Sequence, residues 1–470
     1  MKFMQRKRAT LLAVAIGTFM SAFDGSVVNL VLPNISSYFH TTLSMVEWTV
    51  MSYLLVISSL LLAYGRLGDM YGHKRIYTTG LVIFTGGSIL CGLAGSVMIL
   101  IVFRALQAIG AGMLMAMGPA IVTDTVAPKD RGKALSITAV AVAVALTLGP
   151  AIGGFLTSLF GWQSIFFVNI PIGIGAFIFA RQVIPQKDER ADQPFDWMGA
   201  GLIFTALICI LLSLSLVEEL GWTNIGLIVT MIVGLGLVAG FIFWEKAARY
   251  PLFDITLFKN RLFAMSNLSA LLNYMAQNTI ILLIPFYLQN LQGLPPNQAG
   301  VLYLAMPLST MLVAPVSGTL SDRMDTRYIS SAGMAIIAVG MGILSNLKAD
   351  SSHIFMITGL IVVGIGIGLF QTPNNSAIMG AVPRNKSGVA SGMLATMRNI
   401  GMVLGVAISG AVFSSSQIGL TTSLKSRGLS GHLLFSTAFE GALHITYLMG
   451  AGIACVAVVT SLVRGSTRKG

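Results

Sequence analysis

The sequence Gly65-Arg66-Leu67-Gly68-Asp69 decides the fold of this chain, because a related stretch lies in its second half as Gly318-Thr319-Leu320-Ser321-Asp322-Arg323. Each stretch comes after the second apolar run of its half of the chain, and each precedes further basic residues. Similar loops at equivalent places predict that the chain contains two structural repeats. The apolar runs on either side of the loops determine what those repeats are made of.

The composition excludes a soluble protein. Hydrophobic residues make up 55% of the 470 residues, charged residues make up only 10%, and the mean hydropathy is +0.82. A typical soluble domain carries about 25% charged residues, so a soluble enzyme, a disordered chain and a secreted disulfide scaffold are all excluded. Only a lipid bilayer is a suitable solvent for this much apolar surface.

Fourteen apolar runs are each long enough to cross a bilayer, which takes about 20 residues. Their predicted limits are 9–33, 47–65, 77–96, 98–120, 134–158, 163–183, 197–217, 224–244, 262–290, 298–319, 328–347, 353–373, 388–414 and 441–463. The predicted fold class is therefore an all-α integral membrane protein with fourteen transmembrane helices. We expect an amino-terminal six-helix bundle (1–190), a two-helix insertion with its loops (191–261) and a carboxy-terminal six-helix bundle (262–470).

The distribution of basic residues predicts the orientation of these spans. With the N-terminus in the cytoplasm, only Lys348, Lys425 and Arg427 lie in outer loops, and only Arg104 and Arg398 lie within spans; the rest of the 29 Lys and Arg residues lie on the cytoplasmic side. Cytoplasmic loops of membrane proteins carry such an excess. We therefore expect both termini in the cytoplasm and a place in the cell membrane. The net charge of +12 needs no nucleic-acid partner.

Ionisable residues inside a span are costly and are functional candidates for that reason. Asp24 lies ~13 Å and Arg104 ~9 Å from the outer ends of their spans, at 1.5 Å per residue. Glu47 lies at the outer mouth of the second span. We expect these three residues to take part in proton coupling, because a neighbouring charge or a change in burial alters how readily a carboxylate takes up a proton. The alternatives are a fixed structural Asp24–Arg104 pair and a solvated Glu47.

Polar residues in the middle of apolar spans indicate a cavity that holds water or substrate. Asn273 and Gln277 are four residues apart and share a helix face, as Tyr274 and Asn278 do. The full set of expected substrate-binding residues is Phe23, Asn29, Tyr53, Asn273, Tyr274, Gln277, Met306, Gln371, Asn374, Asn375 and Arg398. The alternative is hydrogen bonding between helices, which for Arg398 means bonds to backbone carbonyls.

The two related loops predict a gate on the cytoplasmic side. Glycines let helix ends approach closely, while an aspartate can cap a helix start and pair with nearby basic residues. The expected gate residues are Gly65, Gly68, Asp69, Arg75, Asp124, Arg131, Gly318, Asp322 and Arg323. The alternative is a simple basic turn that only sets orientation.

Several motifs in order resemble the fourteen-span drug:proton antiporter group of the major facilitator superfamily. They are Phe23 to Pro33, Gly65 to Arg75, Arg104 to Gly112, Gly149 to Gly154, Gly161-Trp162 with Phe166 to Pro171, Gln371 to Asn375, and Gly388 to Gly392. The resemblance implies two alternating conformations and proton-driven export. It also implies that Gly149, Pro150, Gly153 and Gly154 of the fifth span serve exchange rather than co-transport. Glu47 departs from the group, in which glutamine is more common before the tryptophan.

The expected function is therefore proton-coupled export of amphipathic or cationic small molecules by alternating access. The alternative is a dedicated exporter of an endogenous metabolite or lipid on the same scaffold. The sequence contains no HExxH, nucleophile elbow or Walker A motif, so we expect neither an enzyme nor an ATP-driven pump. Expected partners are the substrate, protons and the bilayer. We expect no cofactor and no metal, and a functional monomer.

Overall fold

A computed structural model of the chain describes residues 2–126, 131–186, 196–216, 220–221, 223–248, 255–382 and 387–465. These residues are helical apart from short turns, and they contain no β-strand. In lipid only a helix or a closed barrel can satisfy the backbone hydrogen-bonding groups. The bilayer therefore explains both the apolar composition and the helical architecture of the chain.

Fourteen long helical segments follow one another along the described chain. They are α1 (Lys2–Phe39), α2 (Leu43–Tyr71), α3 (His73–Gly92), α4 (Val97–Thr125), α5 (Arg131–Phe160), α6 (Ser164–Val183, interrupted at Val168), α7 (Trp197–Ser215), α8 (Ile225–Ala247), α9 (Arg261–Phe286, continued by a π-helical turn at Tyr287–Leu291), α10 (Pro296–Tyr303 and Ala305–Arg323), α11 (Thr326–Leu344), α12 (His353–Gly380), α13 (Ser387–Ser426) and α14 (Gly431–Val463).

Each predicted span corresponds to one of these segments. Thirteen of the segments in the described chain are long and apolar enough to cross a membrane. The remaining one, α3, begins with His73, Lys74 and Arg75 and is rich in threonine and glycine, which lowers its mean hydropathy. The predicted gap between the spans 388–414 and 441–463 is wrong in extent, since α13 continues to Ser426 and α14 begins at Gly431. The polar residues between the two apolar runs lie on helix that extends beyond each run.

Local signals in the sequence fix where several helices begin. A side chain placed just before the first turn accepts a hydrogen bond from the otherwise unpaired backbone N–H groups, which stabilises a helix start by about 1 kcal/mol. The residues that do so are Thr42, Ser96, Asp196, Asn224, Asn260, Asp325 and Ser352.

The same helix pairs pack together in both halves of the chain. The pairs α1–α5, α2–α4, α3–α4 and α3–α6 of the first half recur as α9–α13, α10–α12, α11–α12 and α11–α14. The pair α7–α8 stands between the halves in sequence, and α7 packs against both α2 and α13. The internal repeat therefore shows in the packing as well as in the loops.

The two halves contact each other toward one end of the bundle. We call the end that carries both chain termini the terminal end, and the other the opposite end. Near the opposite end, α5 meets α10 so closely that a Cβ at Gly154 would overlap the backbone of Pro296, and one at Gly300 would overlap that of Pro150. Gln289 donates to the carbonyl oxygen of Leu30 at 2.7 Å in the same region. The opposite end is closed in this conformation.

Candidate functional site

A buried ion pair lies inside the first half. Arg104 of α4 donates from Nη1 to Oδ2 of Asp24 on α1 at 2.5 Å, and both side chains are only 1% exposed. Asp24 and Arg104, which were predicted to lie at similar depth in the membrane, are therefore in direct contact. Arg104 also donates from Nε to the carbonyl oxygen of Thr49 at 3.0 Å, and its guanidinium carbon lies 4.1 Å from the centre of the Tyr53 ring.

Amide side chains complete the coordination of Asp24. Its Oδ1 accepts from Nε2 of Gln107 and from Nδ2 of Asn169, both at 2.9 Å. Gln107 also accepts from Arg104 at 2.7 Å and donates to Ser88 at 2.7 Å. The carboxylate thus accepts three hydrogen bonds from three different side chains, which is the arrangement that makes a buried charge tolerable.

Neither Gln107 nor Asn169 is among the site residues predicted from the sequence. Gln107 lies three residues after Arg104 and therefore on the same helix face, which was an available signal. Asn169 follows the interruption of α6 at Val168. Its contact with Asp24 depends on how α6 is rotated about its axis, and the sequence does not give that rotation.

The hydrogen bonds of the Asp24 network depend on the charge of its carboxylate. An ionised Asp24 accepts from Arg104, Gln107 and Asn169, whereas a protonated one carries a donor and no charge for Arg104 to pair with. Removing one charge from a buried pair leaves the other uncompensated, which costs about 3–5 kcal/mol. The pairing of Asp24 with Arg104 therefore stabilises the contact between α1 and α4.

The fifth-span motif connects α1 with the other half. A Cβ at Gly149 would lie 2.7 Å from Ser26 Oγ, and one at Gly153 would overlap Val27, both of them on α1 close to Asp24. On α5, Pro150 and Gly154 make the close approach to α10. The helix α5 therefore contacts both α1 near Asp24 and α10 of the other half.

Glu47 does not lie at an open mouth. It is only 2% exposed, and its carboxylate occupies the space beside Gly410 of α13, where a Cβ would overlap it. The alternative of a solvated Glu47 is therefore wrong: the residue is buried between the halves, because α13 packs against α2. Its expected part in proton coupling stays a prediction.

The predicted polar face of α9 lies against the core of the second half. Tyr274 lies close to Arg398 of α13. Asn273 is fully buried, and among the described residues neither atom of its amide has a hydrogen-bond partner; the same holds for Oε1 of Gln277. Buried polar atoms are nearly always paired with protein, water or ligand, so this cluster is a candidate binding surface.

The other predicted substrate-binding residues have varied surroundings. Phe23 is buried and stacks on Phe19, with ring centres 5.6 Å apart. Asn29 donates within its own helix to Gly25, and Met306 is buried on α10. Tyr53 packs on Arg104, as described above. Gln371 is half-buried and Asn375 is exposed.

Asn374 does not line an open cavity in this conformation. It is fully buried, donates to the carbonyl oxygen of Ser266 at 3.1 Å, and accepts from Arg464 at 2.9 Å. Its amide is therefore part of the packing at the terminal end.

Arg464 follows the last predicted span and was expected on the cytoplasmic side; it is buried at the end of α14 with 1% of its surface exposed. Its guanidinium also donates to Thr326 at 2.9 Å, to Ser330 at 3.3 Å and to Ser266 at 3.4 Å. Burial lowers the pKa of this guanidinium to about 10, and the nearby Asp325 acts in the opposite direction. Arg464 still carries a charge at neutral pH and connects α9, α11, α12 and α14.

The predicted gate residues lie at the terminal end of their helices. Asp124 of α4 pairs with His73 of α3 at 2.9 Å, and Gly68 of α2 packs so closely on Met117 that a Cβ would overlap the sulfur. Three predicted members, Arg75, Arg323 and Gly318, lie on exposed or loosely packed surface. The side-chain surroundings of Gly65, Asp69, Arg131 and Asp322 lie outside the described part of the structure.

Comparison with known proteins places this architecture in a family. The chain matches the Major Facilitator Superfamily over residues 14–196 and 188–406. It is 37% identical to the riboflavin transporter RibZ of Clostridioides difficile, over 88% of this chain and 90% of that one. It is 31% identical to the multidrug resistance protein Stp of Mycobacterium tuberculosis, over 86% of this chain and 76% of that one.

Solved structures agree on the fold. A bacterial homologue of the human lysosomal transporter Spinster, in an inward-facing and unoccupied conformation, superposes with a TM-score of 0.69 at 16% identity and covers 98% of both chains. A D-xylose–proton symporter gives a TM-score of 0.69 at 12% identity over the same fraction. The chain therefore belongs to the Major Facilitator Superfamily, in its group of multidrug efflux transporters, and is a multi-pass membrane transporter of small molecules.

Proposed function

We propose that this protein is a proton-coupled antiporter that exports amphipathic or cationic small molecules by alternating access. The observation that carries the proposal is the buried Asp24–Arg104 pair with its amide partners, since a mid-span carboxylate that exchanges a proton can couple proton entry to a helix rearrangement. The fifth-span glycines support a route from Asp24 to the interface between the halves. We place the transporter in the cell membrane as a monomer with cytoplasmic termini.

The proton gradient is sufficient for this task. One charge that moves through ~100 mV releases ~2.3 kcal/mol. One proton per cycle can then sustain a substrate gradient of roughly fifty-fold for a neutral substrate.

The test uses purified protein in proteoliposomes with an imposed pH gradient and an internal pH dye. Lipophilic cations should trigger proton flux with the native protein and none with Asp24→Asn. Asp350→Asn is the matched control, because Asp350 is an exposed carboxylate outside the helices. Native flux in the Asp24→Asn protein would remove Asp24 from the coupling mechanism. Silence of the native protein toward all compounds would remove proton coupling itself.

A dedicated metabolite exporter is the second candidate, and two observations favour it. RibZ, which covers nearly the whole chain, is named as a riboflavin transporter. In addition, the amide of Asn273 has no hydrogen-bond partner among the described residues and could bind a polar ligand together with Tyr274 and Arg398. Asp24, by contrast, is already paired with Arg104. Riboflavin in the same proteoliposome assay distinguishes the two: a response to riboflavin alone favours the dedicated exporter, and a response to several unrelated cations favours multidrug export.

A further inference from the structure

We propose that a groove on the first half of the transporter binds one anionic phospholipid near the terminal end. One acyl chain lies in the groove, and Arg8 of α1 and Gln182 of α6 bind the phosphate. The inference does not depend on the proposed function, because lipid binding requires neither a transported substrate nor a proton.

The groove lies between α5 and α6, and α1 forms its floor. The helix α1 packs against both of these helices, whereas α5 contacts α6 mainly at the short segment Ser164–Phe167. The remaining gap has a volume of about 530 Å³. All eight residues that line it are apolar, and they include Ala15 and Phe19 of α1, Ala141 of α5 and Gly175 of α6.

Gly175 shows that the gap is not filled by the described part of the protein. A Cβ on Gly175 would meet no described atom within 4 Å, and Pro171, one turn earlier, is exposed. Both residues belong to a helix that is long and apolar enough to cross the membrane, so the gap faces hydrocarbon. Residues beside an empty space lose dispersion contacts, and a lipid chain restores them. The occupant that fits the groove is therefore an acyl chain.

Two polar side chains flank the groove on its terminal side. Arg8 comes seven residues before Ala15 on α1, and Gln182 comes seven residues after Gly175 on α6; both are exposed. Seven residues are nearly two full turns, so each polar residue shares a helix face with its groove residue and lies ~10 Å from it along the axis. One polar residue is therefore aligned with the groove on each of these two helices.

The contact between α1 and α6 places Arg8 and Gln182 at similar height. Thr10 donates from Oγ1 to the carbonyl oxygen of Val183 at 3.1 Å, which fixes the register of the two helices. Arg8 and Gln182 then differ by only ~5 Å along the helix axes. A phosphate group can accept hydrogen bonds from a guanidinium and from an amide N–H at the same time.

The charges of this region favour an anionic headgroup. From Lys2 to Phe23 the sequence has four basic residues and no acidic one, and Arg181 is the only charged residue of α6. Basic segments beside a membrane span attract anionic lipids. The groove extends from ~10 to ~16 Å below Arg8, and half of the hydrocarbon core is ~15 Å thick. A lipid bound at Arg8 therefore has its chain at the depth of the groove.

The experiment is native mass spectrometry of the full-length protein in detergent. The protein is titrated with phosphatidylglycerol and, separately, with phosphatidylethanolamine that carries the same acyl chains. The native protein should bind one phosphatidylglycerol with an apparent Kd roughly tenfold below that for phosphatidylethanolamine, because only the former has a net negative charge. Equal affinity for the two lipids would contradict the choice of an anionic headgroup.

Variants of Arg8 test the headgroup contact. Arg8→Gln should raise the apparent Kd for phosphatidylglycerol roughly tenfold through loss of a charge-assisted hydrogen bond, and Arg8→Lys should keep most of the affinity. Arg181→Gln is the matched control, because Arg181 is exposed at the same end but lies about 120° around α6 from Gly175. Equal losses in Arg8→Gln and Arg181→Gln would reduce the effect to general surface charge and overturn the site.

Variants of Gly175 test the chain contact. Gly175→Leu places a side chain in the groove and should weaken lipid binding about as much as Arg8→Gln does. Gly236→Leu on α8, where a Cβ also meets open space, should bind lipid as the native protein does. Native affinity in Gly175→Leu would refute the location of the chain.

Competition identifies the occupant. Glycerol 3-phosphate, which has the phosphate without the chains, should not displace phosphatidylglycerol; displacement would make this a site for free phosphate compounds. Displacement by a lipophilic cation would assign the groove to a transported compound. A dimer that Gly175→Leu abolishes would assign it to a second copy of the chain. Each of these three results would overturn the proposal.

Discussion

Replacing Arg464 by alanine is expected to destabilise the helix bundle as a whole, through contacts that lie in its second half. The guanidinium makes two hydrogen bonds at 2.9 Å, to Asn374 and Thr326, and two longer ones to Ser266 and Ser330. A hydrogen bond to a charged group contributes about 1.5–3 kcal/mol, and the desolvation of the cation offsets part of the sum. Because the change leaves buried acceptors without a donor, we expect a net loss of about 3 kcal/mol.

The assay uses the buried thiol of Cys91. Cys91 is 0% exposed, so a thiol-reactive fluorophore labels it only when the bundle opens on heating. Replacing Cys209 and Cys455, which are more accessible, leaves Cys91 as the only reporter. The apparent melting temperature of Arg464→Ala should fall by roughly 5 °C.

Arg181→Ala is the control for this prediction. Arg181 lies in the last turn of α6, the helix of the first half that corresponds to α14, and it is exposed. Its removal should change the melting temperature little, since exposed charges contribute little to stability. Equal shifts for the two variants would refute the reasoning that the burial of Arg464, and not its charge alone, stabilises the terminal end.

Three further predictions concern transport. Gly300→Ala should block closure of the opposite end and abolish export while leaving substrate binding. Gly419→Ala on α13, where a Cβ meets open space, should transport normally. Distance measurements across the opposite end check both expectations. Asp69→Asn should stall the exchange between conformations without loss of binding, as shown by native substrate affinity together with absent counterflow. Arg398→Gln should weaken substrate binding by about tenfold through loss of its contact with Tyr274, a change that equilibrium binding to the purified protein would detect.

Depth within the membrane was the property that the sequence predicted well. Helix rise alone places Asp24 and Arg104 at similar distances from the outer surface, and the two form an ion pair in the structure. The span limits follow from hydropathy for the same reason, because the thickness of the bilayer sets the length of each apolar run.

Rotation about the helix axis was not predictable in this way. In a soluble helix the apolar stripe marks the buried face, but in lipid both the buried and the outward faces are apolar. The contacts of Asn169 with Asp24 and of Glu47 with Gly410 depend on that rotation. Arg464 was missed for a related reason: a basic residue after the last span fits the charge rule equally well whether it faces water or inserts between helices.

The pair α7–α8 makes the two sides of the transporter unequal toward the bilayer. The two halves meet along two boundaries. Because α7 packs against both α2 and α13, the inserted helix covers one of these boundaries. The other boundary is formed by α5 and α10, on which residues such as Phe155 and Val301 are exposed. We therefore expect a hydrophobic compound dissolved in the membrane to approach the protein from the side of α5 and α10, which the inserted helix does not cover.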